Sequence, residues 1–367
     1  MRYIIVDCGG GTVDLTVHEL GEKGSLSELY KATGGAWGSV GVDHQFEHLL
    51  HRIFGKDFIM DYKQHRPMGW MELMDTFESK KRSVNPLKNT VAFNISLPFS
   101  FIKFFYAQTN CTIENAVKAY HNPNIEWNSQ GSLRIKAAIM YDLFHPVTEK
   151  ITGHIRTLLD HPRLTNISHL FLVGGFAESP VLQHEIKKHF ETRLRVVIPQ
   201  DVSLTILKGA VFFGMDPTVV KIRRSALTYG VGVLNAYNPA KHPPNKCIVK
   251  GGKKWCTDIF EPYVVTDQAI PVNDVVLKSY NPAISSTTTT TITLFATDDE
   301  KPLFITDPGV MRVGELRLQM PPLSIREDGT SREIKVYMRF GDTEITVCAV
   351  DCASGHTALA NLDLLCK

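Results

Sequence analysis

Asp7-Cys8-Gly9-Gly10-Gly11-Thr12-Val13-Asp14 is the stretch on which the reading of this chain turns. It joins two strand-like runs. Tyr3–Val6 is continuously apolar, and Val13, Leu15 and Val17 alternate with Asp14, Thr16 and His18. Three successive glycines carry no Cβ, so a phosphate can reach the backbone amides between the strands. Thr12 adds a hydroxyl donor, and Asp7 and Asp14 supply hard oxygen ligands for Mg²⁺ held through water. The plainer alternative is a glycine hairpin with incidental carboxylates. An Asp on each side plus Thr12 favours phosphate.

Outward from this loop, the first ~215 residues alternate strand and helix patterns, which is the signature of α/β architecture. From Asp43, the spacing Phe46, Leu49, Leu50, Ile53, Phe54 predicts an amphipathic helix stopped by Gly55. Met71–Ser83 reads as a charged helix, Thr90–Leu97 as a strand, and Ile139–Leu159 as one long amphipathic helix. A second turn, His169-Leu170-Phe171-Leu172-Val173-Gly174-Gly175-Phe176-Ala177-Glu178-Ser179-Pro180, passes from a buried strand to a helix over Val181–Phe190. Ser179 suits its N-cap and Pro180 its first position. A Gly pair there lets a ligand lie on bare backbone near the positive end of the helix dipole, or serves only as a tight turn.

After Asp216-Pro217 the pattern changes. Short β-rich runs take over at Tyr229–Leu234, Tyr263–Val265, Val275–Tyr280, Thr287–Ala296, Gly314–Gln319, Ile334–Phe340 and Glu344–Val350. Strands at this spacing predict a sandwich or barrel. The chain of 367 residues, 43% hydrophobic, has length and apolar content for two domains. Its 40 Lys+Arg against 38 Asp+Glu argue against a nucleic-acid or membrane-surface binder, which needs clustered excess cation. No apolar run approaches the ~18 residues of a membrane span, and the amino terminus lacks the pattern of a signal peptide. The seven scattered cysteines form no C-x-x-C pair and read as reduced thiols of a cytoplasmic protein.

In this order and separation, the two glycine turns resemble the phosphate and adenosine motifs of the actin, sugar-kinase and heat-shock 70 kDa superfamily. Asp201–Gly214, with Lys208-Gly209-Ala210, looks like its second connecting helix. Ala269-Ile270-Pro271-Val272, Gly314-Glu315-Leu316, Pro321-Pro322 and Ala349-Val350-Asp351 resemble the β-sandwich substrate domain of heat-shock 70 chaperones. Tyr229-Gly230-Val231-Gly232-Val233 and Phe304-Ile305-Thr306-Asp307-Pro308-Gly309-Val310 look closest to the divergent heat shock 70 kDa protein 12 branch.

The resemblance implies an α/β actin-like, heat-shock-70 nucleotide-binding lobe (partial, over residues 1–217), a linker at 218–224, and an all-β sandwich substrate-binding-like domain over 225–367. It implies ATP or ADP with Mg²⁺ as cofactors. Asp7 and Asp14 would organise the metal and the attacking water; Gly9, Gly10, Gly11 and Thr12 would hold the β- and γ-phosphates. Gly174, Gly175, Phe176 and Glu178 would lie beside the adenosine, as would Glu78, Lys81 and Arg82; by charge pattern alone these last three read as a solvated helix face.

The sequence also departs from that family. Met1 stands six residues before Asp7, leaving no room for the lobe that carries the first phosphate loop and a catalytic lysine. Glu178 stands where mainstream members carry an arginine that stacks on adenine, a cation–π contact worth about 0.5–2 kcal/mol. No lid-like helix follows the sandwich, and the groove stretch, Leu277 with Thr287–Thr291, is rich in threonine. These departures predict an atypical ATP-binding protein with little or no ATPase activity, acting on protein clients or signalling partners in a stress or immune response. An active ATPase completed by an upstream lobe, and a nucleotide-free scaffold, are the alternatives. The helix 201–214 is expected to expose Leu204, Leu207, Val211 and Phe212, a face suited to a partner or a dimer. His44, His48 and His51 share a helix face but have no completing ligands, and read as a surface stripe. Cys8 reads as a buried, inert thiol.

Overall fold

A continuously apolar strand needs cover on both faces, and the first strand, β1 (Arg2–Cys8), has it: Ile4 and Val6 are fully buried. The hairpin β2 (Val13–Leu20) and β3 (Leu26–Gly35) follows, then α1 (Val40–Phe54), α2 (Lys56–His65) and α3 (Pro67–Ser83). Next come β4 (Ala92–Ser96), α4 (Phe99–Thr109), α5 (Ile113–Ala119), β5 (Ile125–Asn128), β6 (Ser132–Lys136), α6 (Ala137–Asp142) and α7 (His145–Leu159). They lead to β7 (Ile167–Val173), α8 (Pro180–Phe190), β8 (Arg195–Val197) and α9 (Val202–Met215).

The computed structural model describes residues 1–88, 90–128, 130–282, 288–321, 332–340 and 344–363. The protein is mixed α/β with several sheets and divides into two units. One is Met1–Thr16 with Thr33–Phe212; the other is Val17–Ala32 with Phe213–Lys367. Thr287, Pro322 and Cys366, which entered the strand, domain and thiol readings above, lie outside the described residues.

In the first unit the sheet order is β2-β1-β7-β8, with Val13–Thr16 of β2 belonging to this unit. β1 and β7 are parallel, from Tyr3↔His169 to Asp7↔Val173, so the ends of both strands, and the glycine turns after them, come to one edge. Parallel pairing requires a long crossover, and helices supply it. α1 buries Phe46, Leu49, Leu50 and Ile53, and Phe46 stacks on Phe77 of α3 at 4.0 Å between ring centroids. α1 stops at Gly55, where φ is +91° and the amide returns to the His51 carbonyl. A second, antiparallel sheet runs β4-β6-β5.

The expected helix over 139–159 is two helices, α6 and α7, parted at Leu143-Phe144. Pro146 lies in the first turn of α7 and has no N–H to return to the carbonyl of Asp142. The break turns Phe144 inward, where it is 1% exposed.

The second unit holds β9 (Val220–Arg224), β10 (Thr228–Ala236), β11 (Cys247–Lys250), β12 (Lys253–Val264), β13 (Ala269–Pro271), β14 (Asp274–Tyr280), β15 (Thr289–Thr297), β16 (Met311–Gln319), β17 (Ile334–Phe340), β18 (Glu344–Asp351) and β19 (Thr357–Asp363). Two antiparallel sheets, β11-β12-β10-β15-β16 and β14-β17-β18-β19, share one apolar core. Val231, Leu294, Leu316 and Leu318 enter it from the first sheet; Val336, Met338, Ile345 and Val347 enter from the second. The stretch 218–224 carries β9, which pairs with the start of β3 in parallel and with β13 antiparallel. At the end of β18, Asp351 receives Arg332 through Nε at 3.0 Å and Nη2 at 2.5 Å, and both side chains are fully buried.

Candidate functional site

The loop after β1 is held by its carbonyls. The Gly9 carbonyl accepts from the Ser39 amide at 3.2 Å, Gly10 from Val40 at 2.9 Å and Gly11 from Gly38 at 3.1 Å. There is no cis peptide among the described residues, and a trans peptide points its N–H opposite to its C=O. The amides of Gly10, Gly11 and Thr12 therefore face away from the Gly38–Val40 segment, and among the described residues none of the three donates to an acceptor. Three successive amides without an acceptor are a donor set of the kind an anion can use. A Cβ on Gly10 or Gly11 would meet nothing within 4 Å, so the approach to those amides is open.

Gly38 makes this possible. A Cβ there would stand 2.2 Å from the Gly10 carbonyl oxygen, backbone that cannot move aside without losing the loop. Gly38→Ala is expected to lower the unfolding free energy by about 1–3 kcal/mol, measured by denaturant titration.

The two carboxylates flank the loop. Burial is the first cause, and the charge of Asp14 the second, that raises the Asp7 carboxyl above its usual range. Such a pair is relieved by a cation between or beside it. The Thr12 hydroxyl is already given to Asp14 Oδ2, at 3.1 Å. Gly174 closes against the same strand end with φ at +89°, and a Cβ on it would lie 2.4 Å from Asp7 Oδ1. Burial pushes the Cys8 thiol far above its ordinary value, as an inert core thiol requires.

Beside the loop lies a cavity of about 530 Å³, lined by Gly10, Ser39, Glu78, Lys81, Arg82, Phe144, Gly175, Phe176, Glu178 and Ser179. Seven of the residues that the resemblance placed at a nucleotide meet here, drawn from the β1–β2 loop, α3 and the turn after β7. Asp7, Gly9, Gly11, Thr12, Asp14 and Gly174 do not line it; they belong to the adjoining loop and its support.

Of the three charged residues of α3, Arg82 lies on a solvated face, but Lys81 does not. Lys81 is 5% exposed and bridges Asp43 of α1 at 2.7 Å and Glu78 at 2.5 Å. Glu78 also takes the Arg82 guanidinium at 2.7 Å. Burial raises the Glu78 carboxyl, but the hydrogen bonds from Lys81 and Arg82 outweigh it and hold the group below its ordinary range.

Sequence reasoning missed Asp43, Ser39, Gly38 and Phe144. Only Phe144 left a legible signal, in Pro146 two residues on. Phe144 and Phe176 face each other at 6.5 Å between centroids and give the cavity an apolar wall. Ser179 sits at the N-cap of α8, but its side chain makes no capping bond, and its buried Oγ has no hydrogen-bond partner among the described residues. His48 and His51 meet edge to face, and among the described residues no group of three or more His, Cys, Asp or Glu is placed to hold a metal directly. No described helix is long and apolar enough to cross a membrane.

No family model matches the chain. It is 47% identical over 365 residues to Heat shock 70 kDa protein 12A of Homo sapiens, covering 99% of this chain and 54% of that protein. It is 48% identical over 371 residues to Heat shock 70 kDa protein 12B of Homo sapiens, again 99% and 54%. Chaperone protein DnaK of Thermus thermophilus is 26% identical over 257 residues, 66% of this chain and 38% of that protein. The chain spans about half the length of the first two relatives.

Proposed function

The chain belongs to the heat-shock 70 kDa superfamily, in the branch of heat shock 70 kDa protein 12, and on that premise we propose that the cavity of its first unit binds ATP or ADP with Mg²⁺. The observation that carries the reading is the row of outward amides at Gly10, Gly11 and Thr12 beside a cavity walled by Phe144 and Phe176. Phosphate oxygens suit the first and a flat base the second. Gly9, Gly10, Gly11 and Thr12 hold the β- and γ-phosphates. Gly174, Gly175, Phe176 and Glu178, with Glu78, Lys81 and Arg82, surround the nucleoside. Asp7 and Asp14, whose mutual repulsion suits a divalent cation, hold Mg²⁺ through water. Bound Mg²⁺ supplies charge neutralisation along the phosphates.

We assign the site to binding with little hydrolysis. Phosphoryl transfer needs cations free to stabilise charge developing at the γ-phosphate. Both described cations lining the cavity are neutralised, Lys81 by Asp43 and Glu78, and Arg82 by Glu78. In this reading residues 1–217 form the nucleotide-binding portion, 218–224 the connection, and 225–367 the sandwich that engages protein clients or signalling partners in the cytoplasm. The apolar face of α9, with Leu207, Val211 and Phe212 exposed, is a further protein contact, including a dimer.

Calorimetry with ATP, with and without Mg²⁺, tests the reading. We expect Mg²⁺-dependent binding in the full chain, lost in Asp7→Ala. A flat titration in both conditions would favour a scaffold that takes no nucleotide.

A further inference from the structure

In the second unit two thiols face each other across neighbouring strands. β11 and β12 form a hairpin whose register runs Lys250↔Lys253, Val249↔Lys254, Ile248↔Trp255 and Cys247↔Cys256 without a shift. Its loop is Gly251-Gly252, with φ at +58° and +73°, the two left-handed positions of a tight hairpin turn. Such a turn bonds its first carbonyl to its fourth amide, so Lys250 and Lys253 are a hydrogen-bonded pair. Antiparallel pairs alternate between hydrogen-bonded and non-hydrogen-bonded, which makes Cys247↔Cys256, three steps on, the second kind. The other side of β12 agrees. The Lys254 carbonyl accepts from the Tyr237 amide at 3.1 Å, so the backbone groups of Lys254 turn away from β11, and those of Cys256 turn with them.

A non-hydrogen-bonded pair brings its Cα atoms to about 4.5 Å and sets both side chains on one face of the sheet. A disulfide spans Cα separations of roughly 4.4–6.8 Å. Cys247 and Cys256 are both free thiols, the first half-buried and the second fully buried. Burial is the first cause that raises the Cys256 thiol, the Asp258 charge the second and Cys247 the third, with Lys246 opposing them. The start of β11 is fixed in place, because Lys246 Nζ reaches Asp258 Oδ2 at 2.7 Å and Thr306 Oγ1 at 2.8 Å. Cys348, by contrast, stands opposite Tyr337 and Leu359.

We propose that Cys247 and Cys256 are a peroxide-responsive pair that closes to a disulfide and fastens β11, the edge strand of its sheet. Hydrogen peroxide reaches the half-buried Cys247 first. Its sulfur attacks one peroxide oxygen; the S–O bond forms, the O–O bond breaks, and water leaves with the thiol proton. The Cys256 sulfur then attacks the sulfenic sulfur. The S–S bond forms, and the hydroxyl leaves with the Cys256 proton as a second water. Two electrons pass from the two sulfurs to one peroxide, and a dithiol reductant reverses the change by exchange. β11 is bonded on one side only, by β12, so it opens ahead of the interior strands. A bridge from Cys247 to Cys256 is expected to make that opening about a hundredfold rarer.

The test treats the full chain with hydrogen peroxide, alkylates the remaining thiols and digests it with trypsin without reduction. Cleavage after Lys250 and Lys254 leaves the two sulfurs on separate peptides, residues 247–250 and 255–278. The expected product is these two joined, two hydrogens lighter than their sum, and parted by dithiothreitol. Hydrogen exchange at the Ile248 and Trp255 amides should slow about a hundredfold in the oxidised chain. Cys256→Ala should halt the reaction at the Cys247 sulfenic acid, which dimedone traps, and Cys247→Ser should leave Cys256 a thiol. Cys247 carried to sulfinic acid in the unaltered chain with no joined peptide, or bridged to another cysteine, overturns the pair. A joined peptide with unchanged exchange overturns the fastening of β11.

Discussion

Lys81→Met is expected to lower the unfolding free energy of this protein by about 2–4 kcal/mol and to weaken Mg²⁺-nucleotide binding with it. The reason is the carboxylate left behind. Removing one partner of a buried ion pair costs about 3–5 kcal/mol because the other charge stays desolvated. The discount here reflects Asp43, whose side chain keeps 21% of its exposure, and Glu78, which retains Arg82. The pH dependence identifies the mechanism. Burial, the largest cause, already raises the Asp43 carboxyl above its ordinary value, with Lys81 opposing it. Without Lys81 that carboxyl rises further. A group whose native pKa is raised contributes stability that is present at low pH and lost as pH rises through the native value. The deficit of Lys81→Met should therefore be full at neutral pH and shrink towards about pH 4, near the unfolded carboxyl. Denaturant titrations at several pH values measure this. A pH-independent deficit would point to lost packing of the lysine stem instead. Asp43→Asn added to Lys81→Met should recover part of the loss, since the pair is one coupled unit.

Asp351→Asn should be the costlier change in the second unit, by about 3–5 kcal/mol, because it takes the charged carboxylate from the fully buried Arg332 guanidinium. The pair is bidentate, and Ser354 and the Ala353 amide complete the carboxylate's shell. Its hydrogen bond from Arg332 is the largest cause that lowers the Asp351 carboxyl to about 2, against the opposing effect of burial. The sign here is opposite to that of Asp43. A depressed native pKa contributes stability that is complete above the unfolded value of 3.8 and is lost as pH falls through the native one. Acid titration should therefore weaken the unaltered β unit between about pH 4 and pH 2, and Asp351→Asn should lack that transition. Tryptophan fluorescence of Trp255, in β12 of this unit, can follow it.

The two predictions separate what was legible along the chain from what was not. The loop from Asp7 to Asp14 could be read because its chemistry is local: glycines, a hydroxyl and two carboxylates within eight residues. The strands on either side were equally plain, since alternation is a property of neighbours. The break between α6 and α7 was written in Pro146 but masked by apolar spacing that continued through it. Lys81 was different. In Glu78-Ser79-Lys80-Lys81-Arg82 nothing marks one lysine as buried, because its burial comes from Asp43, 38 residues away on α1. Gly38 looked like any turn glycine until its contact with the Gly10 carbonyl explained it.

The amino-acid order alone determined the glycine-and-carboxylate make-up of the first loop, the α/β-to-β change after Asp216-Pro217 and the family, because each depends on residues adjacent in the chain or on a string that can be matched. Which polar groups are spent and which are free was decided only in three dimensions. Charge and hydrogen bonding are settled by partners, and Lys81, Gly10 and Asp351 each have one that lies 19 to 38 residues away.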